Sequence, residues 1–237
     1  MKTKKRPTKK TRNYVLPAGK ALVLRTCDAN LRSHEGFQWP KSGPVKAPDW
    51  DPKPECGHGL HGLLWGEGCA DLLCWDESAK WLVVEIDPKT AVDLNGKVKY
   101  PSGRVVFVGD RSTAPIWLGE HGGAGRAIVR GTATAGYNGT ATAGNRGTAT
   151  AGYSGTATAG NNGTATAGNR GTATAGYGGT ATAGERGTAK TGSLGIIVLR
   201  WWDGARYRVT VGYVGEDGIK PDTFYRCDEQ GKLVEQK

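Results

Sequence analysis

The sequence predicts an α+β N-terminal domain followed by an all-β solenoid of about four sixteen-residue coils, closed by a β-rich C-terminal cap. Three observations predict it. Residues 131–194 repeat with a strict period of eight. All eight tryptophans lie outside that block, whereas close to half of the 38 glycines lie inside it. Apolar, strand-like runs punctuated by turn residues flank the block on both sides. A Gly/Ala/Thr segment can only stack on itself, whereas a Trp-rich segment can bury an ordinary core. The corresponding partition is a basic tail over 1–13, an α+β domain over 14–125, the repeats over 126–194 and a hairpin cap over 195–237.

The octads read GTATAGYN, GTATAGNR, GTATAGYS, GTATAGNN, GTATAGNR, GTATAGYG, GTATAGER and GTAKTGSL. Each holds one alternating Thr-Ala-Thr-Ala stretch, which puts both threonines on one face of a strand and both alanines on the other. The two-residue insert between glycines is turn chemistry, glycine being tolerant of positive φ. Two octads supply two strands and two corners, so odd octads build one parallel sheet and even octads a second. Four coils at about 4.8 Å spacing make an arm roughly 19 Å long. Alanine is expected inside. An interior column of threonine hydroxyls would cost about 1–3 kcal/mol for each group left unpaired, whereas outward threonines can form ladders of like residues.

Both flanks carry large apolar residues. Ala127–Arg130 is expected to enter the solenoid as a strand. The last octad breaks pattern at Lys190, Thr191 and Leu194, as a terminal repeat should. A hairpin over Gly195–Trp202 and Ala205–Val214, turning at Asp203-Gly204, follows, and a short one over 222–235; Trp201, Trp202 and Tyr207 are expected in the capping core. In the N-terminal part, Lys20–Arg25 and Trp81–Ile86 read as strands. Residues 38–55, with five prolines, read as a loop and Gly66–Trp75 as a short helix. Lys97–Tyr100 with Arg104–Val108 reads as a hairpin, and Ser112–Glu120 as a helix.

The net charge of +10 is concentrated at the N-terminus, where seven basic residues and no acid occupy the first twelve positions. Lys4, Lys5, Arg6, Lys9, Lys10 and Arg12 could attract nucleic acid phosphates without reading sequence; a plain solvated tail is the equal alternative. No apolar run approaches the roughly 20 residues of a membrane span, and no apolar segment follows the basic start as in a secretory signal. Five cysteines at irregular spacing point to free thiols in a reducing compartment. The expected location is the cytoplasm, with no membrane partner.

The Thr140-Ala141-Thr142 stretch, the Ala135-Gly136-Tyr137 step and the pairing of octads into sixteens resemble the repeats of bacterial ice-nucleation proteins. That resemblance covers residues 131–194 and implies a β-solenoid whose threonine rows order water, with tyrosine ladders along one edge. Here there are only four coils, and the tyrosines depart from a continuous ladder. Tyr137 and Tyr153 share an edge, while Tyr177 lies on the other. Residues 14–118 do not resemble the lipid-associated end domain of that family. They resemble uncharacterised bacterial and phage domains with a Cys-Gly-x-Gly-Leu-His core, here Cys56–His61, a similarity that brings no activity with it.

Two regions could carry chemistry. Cys56, His61, Cys69 and Cys74 offer four possible zinc ligands, although their spacing matches no standard knuckle. The same cluster could hold an active site, with His58 and His61 as acid or base beside Glu85 or Asp87, and Cys56 as nucleophile. Buried thiols and a hydrogen-bonded imidazole are the bland alternative. No nucleophile elbow, phosphate loop or dinucleotide fingerprint is present. The second region is the outward rows Thr132, Thr134, Thr148, Thr150, Thr164, Thr166, Thr180 and Thr182, with Tyr137 and Tyr153 at the edge. The expected use is non-catalytic and cofactor-free, as a rigid arm or a docking surface for another protein or a second copy, or alternatively as an ice-binding lattice. An enzyme or zinc domain centred on Cys56–His61 is the further alternative.

Overall fold

The computed structural model describes residues 14–33 and 36–236, and the basic tail lies outside them. The N-terminal part is an antiparallel sheet ordered β2-β7-β4-β1-β3-β6-β5. Its strands are β1 (Ala21–Cys27), β2 (Gly43–Lys46), β3 (Leu60–Leu64), β4 (Lys80–Ile86), β5 (Val92–Asp93), β6 (Val98–Tyr100) and β7 (Ser102–Gly109). The apolar runs of β1 and β4 lack alternation because both sheet faces are covered. One face buries Val23, Leu82, Val84 and Tyr100 beneath Trp39 and Val45. The other buries Leu22, Leu24, Trp81 and Val83 beneath helix α1 (Thr113–Glu120), whose Ala114 and Leu118 are fully buried.

Three local expectations are corrected. The segment 97–108 is no hairpin: β6 pairs with β3 and β5, whereas β7 pairs with β4 and β2. Burial of Val98 and Tyr100 beside β3, and the long ladder offered by β4, outweigh the short connection through Pro101. Gly66–Trp75 forms only a 3-10 turn at Ala70–Leu72, too short to bury the apolar spacing as a helix face. The proline-rich stretch contains β2, an edge strand, which is where proline can sit in a sheet.

The repeats form the expected solenoid. Strands β8 (Thr132–Ala135), β10 (Thr148–Ala151), β12 (Thr164–Ala167) and β14 (Thr180–Ala183) build one parallel sheet. Strands β9 (Thr140–Ala143), β11 (Thr156–Ala159), β13 (Thr172–Ala175) and β15 (Thr188–Thr191) build the other. Each residue pairs with the one sixteen positions on, as Thr148 does with Thr164 and Ala149 with Ala165. Alanine lies inside: Ala149, Ala157, Ala165, Ala173 and Ala181 are fully buried. The exception proves the rule about hydroxyls. Thr191 takes an interior alanine position, and its Oγ1 is satisfied by donating to Gly176 O at 2.9 Å.

The corner glycines have a different role from the expected one. The positive φ falls on the second insert residue, at Arg130, Asn138, Arg146, Ser154, Asn162, Arg170, Gly178, Arg186 and Leu194. From Gly144 onward, the glycine before each insert is needed for close stacking. A Cβ on Gly168 would sit 2.8 Å from the backbone of Gly152, whereas one on Gly136, in the first coil, would meet nothing within 4 Å. Gly168→Ala is therefore expected to destabilise the solenoid by about 1–3 kcal/mol, the usual range for overpacking. Gly136→Ala, in the same repeat context, should change stability by no more than about 0.5 kcal/mol. Urea unfolding of the two variants checks this.

Both ends are capped. Ala127–Arg130 is a turn, not the expected strand. It imitates a coil corner, with Arg130 N–H donating to Asn145 O at 2.8 Å and Gly144 N–H to Ile128 O at 3.0 Å. Ile128 and Val129 are buried in the N-terminal core, and Val129 N–H donates to Gly66 O at 2.8 Å. Arg146 stacks 4.1 Å above Trp75 across the same junction. At the far end β16 (Ile196–Trp202) continues the odd sheet in parallel, and β17 (Tyr207–Tyr213) closes it in antiparallel. The even sheet ends with the hairpin β18 (Tyr225–Cys227) and β19 (Leu233–Glu235). Ile197, Leu199, Val214, Ile219 and Tyr225 cover the end of the alanine stack. Trp202 and Tyr207 do not join that core, being 47% exposed each.

Candidate functional site

The odd sheet carries its threonines outward in four identical rungs: Thr132 and Thr134, Thr148 and Thr150, Thr164 and Thr166, Thr180 and Thr182. Strand geometry sets the hydroxyls about 4.8 Å apart between coils and about 6.7 Å apart along a strand. The pairing is uniform because every rung has the same sequence, so no register shift breaks the plane. The even sheet repeats the array with Thr140, Thr142, Thr156, Thr158, Thr172, Thr174 and Thr188. There the last rung is broken by Lys190, whose ammonium lies 4.6 Å from the Phe224 ring centroid. The odd face continues onto apolar residues, Ile196 and Val198.

The edges carry two kinds of ladder. Tyr137 and Tyr153 stack 5.5 Å apart with rings nearly parallel at 4°. Where asparagine replaces tyrosine, its side chain takes a backbone donor from the next coil. Asn145 Oδ1 accepts from Asn161 N–H at 2.9 Å, and Asn161 Oδ1 accepts from Tyr177 N–H at 3.1 Å. Asn169 Oδ1 does the same for Glu185 N–H at 3.1 Å. These bonds pin corner donors that would otherwise rely on water. The sixteen-residue spacing of the asparagines held this signal, which the reading of the tyrosines alone passes over.

The second candidate, Cys56–His61, lines an open pocket of about 570 Å³ with Arg25, Trp39, Asp49 and Lys97. Its chemistry is cationic. Lys97 Nζ donates to Cys56 Sγ at 2.9 Å, and this hydrogen bond holds the exposed thiol below its ordinary pKa. Arg25 stacks 4.1 Å above Trp39. Lys99 is buried beneath the 56–59 loop, facing His61 across β3 and β6. Burial, then Lys97, Arg25 and Lys99, push His61 down to about 4. His58 Nδ1 lies 3.4 Å from Asp49 Oδ2.

The expected acids are elsewhere. Glu85 accepts from the Tyr14 hydroxyl at 2.7 Å and Asp87 lies 3.8 Å from Lys20, both beside a different pocket. The four proposed zinc ligands are also not brought together. Cys69 sits against Gly96, and Cys74 Sγ lies 3.7 Å from Asp76 Oδ2. Among the described residues no group of three His, Cys, Asp or Glu side chains is arranged to hold a metal.

His61 gives a signed pH prediction. Its folded-state pKa lies below the ordinary 6.5, so the folded form binds protons less readily than the unfolded chain. The stability this group contributes is complete above pH 6.5 and is lost as pH falls towards 4. Denaturant midpoints measured between pH 7 and 4.5 should fall more steeply for the native protein than for His61→Gln.

A threonine-faced, capped β-solenoid joined to an antiparallel-sheet domain is the class this architecture defines. Residues 21–115 match a family described as a domain of unknown function, DUF7666. The chain is also similar to ice nucleation proteins. It is 42% identical over 101 residues to one from Pseudomonas syringae, covering 42% of this chain and 9% of that protein. The ice nucleation protein InaU of Pantoea ananas is 36% identical over 104 residues, covering 43% of this chain and 10% of that protein. One from Xanthomonas campestris pv. translucens is 41% identical over 97 residues, covering 40% and 6%. The chain thus matches a tenth or less of the length of these relatives. No solved structure matches. Among the described residues no helix is long and apolar enough to cross a membrane.

Proposed function

We propose that the protein is a non-catalytic module that orders water on its threonine faces and adsorbs to ice. The observation that carries this reading is the unbroken, in-register threonine array of the odd sheet. Methyl and hydroxyl groups repeat there on a rigid grid, so bound waters are held at fixed spacings by the backbone ladder rather than by mobile side chains. The named relatives are ice nucleation proteins, which supports assigning the grid this use. Four rungs span only about 14 Å by 7 Å on strand spacings. Such an area suits adsorption to existing ice better than efficient nucleation. No cofactor enters this reading.

A second reading, a rigid docking arm for a protein partner or another copy, is favoured by the stacked Tyr137 and Tyr153, which are 71% and 40% exposed. Weak nucleic acid affinity of the basic tail is compatible with both.

Ice-shell partitioning and thermal hysteresis of the purified protein separate the readings. Native protein is expected to enter the ice. Thr150→Lys/Thr166→Lys should remain in the liquid with unchanged circular dichroism, because two ammonium groups break the middle of the grid. Failure of the native protein to partition would leave the docking arm as the functional reading.

A further inference from the structure

We propose that the protein forms a two-fold dimer by antiparallel self-pairing of β17. The inference stands independently of ice binding. Strand β17 is the terminal strand of the odd sheet and, among the described residues, pairs only with β16. Two hydrogen bonds fix its phase: Val214 N–H donates to Gly195 O at 3.0 Å, and Asp203 N–H donates to Arg206 O at 3.1 Å. Antiparallel ladders alternate, so Arg208, Thr210 and Gly212 spend their backbone groups on β16. Val209 and Val211 therefore direct theirs to the open edge. Sheet edges of this length are ordinarily guarded by lysine, proline or a bulge. Here Tyr207, Val209, Val211 and Tyr213 project from the outer face, 47%, 59%, 47% and 50% exposed.

The occupant follows from the sequence of the strand. Tyr-Arg-Val-Thr-Val-Gly-Tyr is symmetric about Thr210 in every residue that projects outward. An antiparallel copy centred on Thr210 sets Val209 of one molecule opposite Val211 of the other, and Tyr207 opposite Tyr213. Every one of these pairs is between residues whose backbone groups point to the open edge, so the ladder hydrogen bonds form without a shift. A displacement by two residues leaves a tyrosine of each copy unopposed. Such an isologous contact closes as a dimer and does not propagate. The axis runs perpendicular to the sheet, so both threonine arrays face the same side. They flank an apolar centre made of Ile196, Val198, Trp202 and the β17 residues of each copy. Arg200, lying 3.9 Å above Tyr207, sits between Val198 and Trp202 in the same outward row.

Sedimentation equilibrium of the full chain over two decades of concentration tests this. Twice the chain mass is expected for the native protein. Val211→Lys should weaken association roughly 100-fold or more, because a lysine ammonium would be buried unpaired beside Val209 of the other copy. Tyr137→Ala/Tyr153→Ala should leave the dimer intact. Hydrogen exchange supplies a readout that needs no variant: the amides of Val209 and Val211 should become protected as concentration rises. A monomer at all concentrations, a dimer lost on Tyr137→Ala/Tyr153→Ala, or a dimer with unprotected Val209 and Val211 amides would overturn the proposal.

Discussion

Ala165→Leu is expected to unfold the solenoid while leaving the N-terminal sheet folded. Ala165 has no exposure, and its ladder neighbours Ala149 and Ala181 have none either. Between the two sheets the central core is built of alanine methyls alone. Three added carbons cannot be absorbed by a rotamer change, since no neighbour has a rotamer to change. Overpacking ordinarily costs about 1–3 kcal/mol because surrounding side chains yield. An alanine stack yields only by parting its sheets, so the loss should exceed that range. Because each coil is supported only by its neighbours, damage at a central rung spreads to both ends. Hydrogen exchange should show lost protection across 131–194 with protection retained across 21–115, and ice partitioning should vanish. Thr166→Leu, one residue along and pointing outward, should change stability by no more than about 0.5 kcal/mol. Equal effects of the two substitutions would refute the assignment of inside and outside.

That assignment was legible from the sequence because it rests on a single physical choice. Alternation offers two faces, and only one of them can be buried without leaving hydroxyls unpaired. The pairing of octads followed from length, since one octad cannot close a coil. What the repeats concealed was the division of labour at the corners. Glycine suggested positive φ, but the strained position falls on Asn138, Arg146 or Arg170, and glycine is retained because the coil below leaves no room for Cβ. That requirement is a property of stacking and has no local signature, which is why Gly136 and Gly168 read identically in sequence and differ in structure.

Outside the repeats, local patterns competed with long-range pairing. The hairpin expected over 97–108 has suitable turn residues, yet β6 and β7 lie on opposite sides of β4, β1 and β3. Nothing within those twelve residues reports that β3 and β4 offer better partners. The Cys56–His61 pocket shows the same limit. Its neighbours Arg25, Trp39, Lys97 and Lys99 come from distant parts of the chain and make it cationic, whereas the sequence also drew attention to Glu85, Asp87, Cys69 and Cys74, which the fold places elsewhere.

Removal of residues 195–237 should convert the protein to an aggregating form. The cut deletes Ile197, Leu199, Val214, Ile219 and Tyr225, which cover the last alanines of the stack. It also leaves β14 and β15 as open parallel edges, β14 with a flat, uncharged threonine face and β15 with a single charge at Lys190, the condition under which strands pair with other chains. The covering is specific. Tyr225 is 3% exposed, its hydroxyl accepts from Lys220 N–H at 2.8 Å, and its backbone pairs with Ala189. A smaller lesion should act in the same direction, since Ile197→Ala would remove a fully buried branched side chain at the point where alanine packing ends. Substitutions of that kind cost about 2–5 kcal/mol. Size-exclusion chromatography of the truncated chain should show soluble aggregates or loss of protein, with increased thioflavin binding. Ile197→Ala should remain soluble but unfold at lower denaturant. A truncated chain that stayed soluble, with the native exchange protection over 131–194, would mean that the alanine stack stabilises itself and that the C-terminal strands serve association rather than closure.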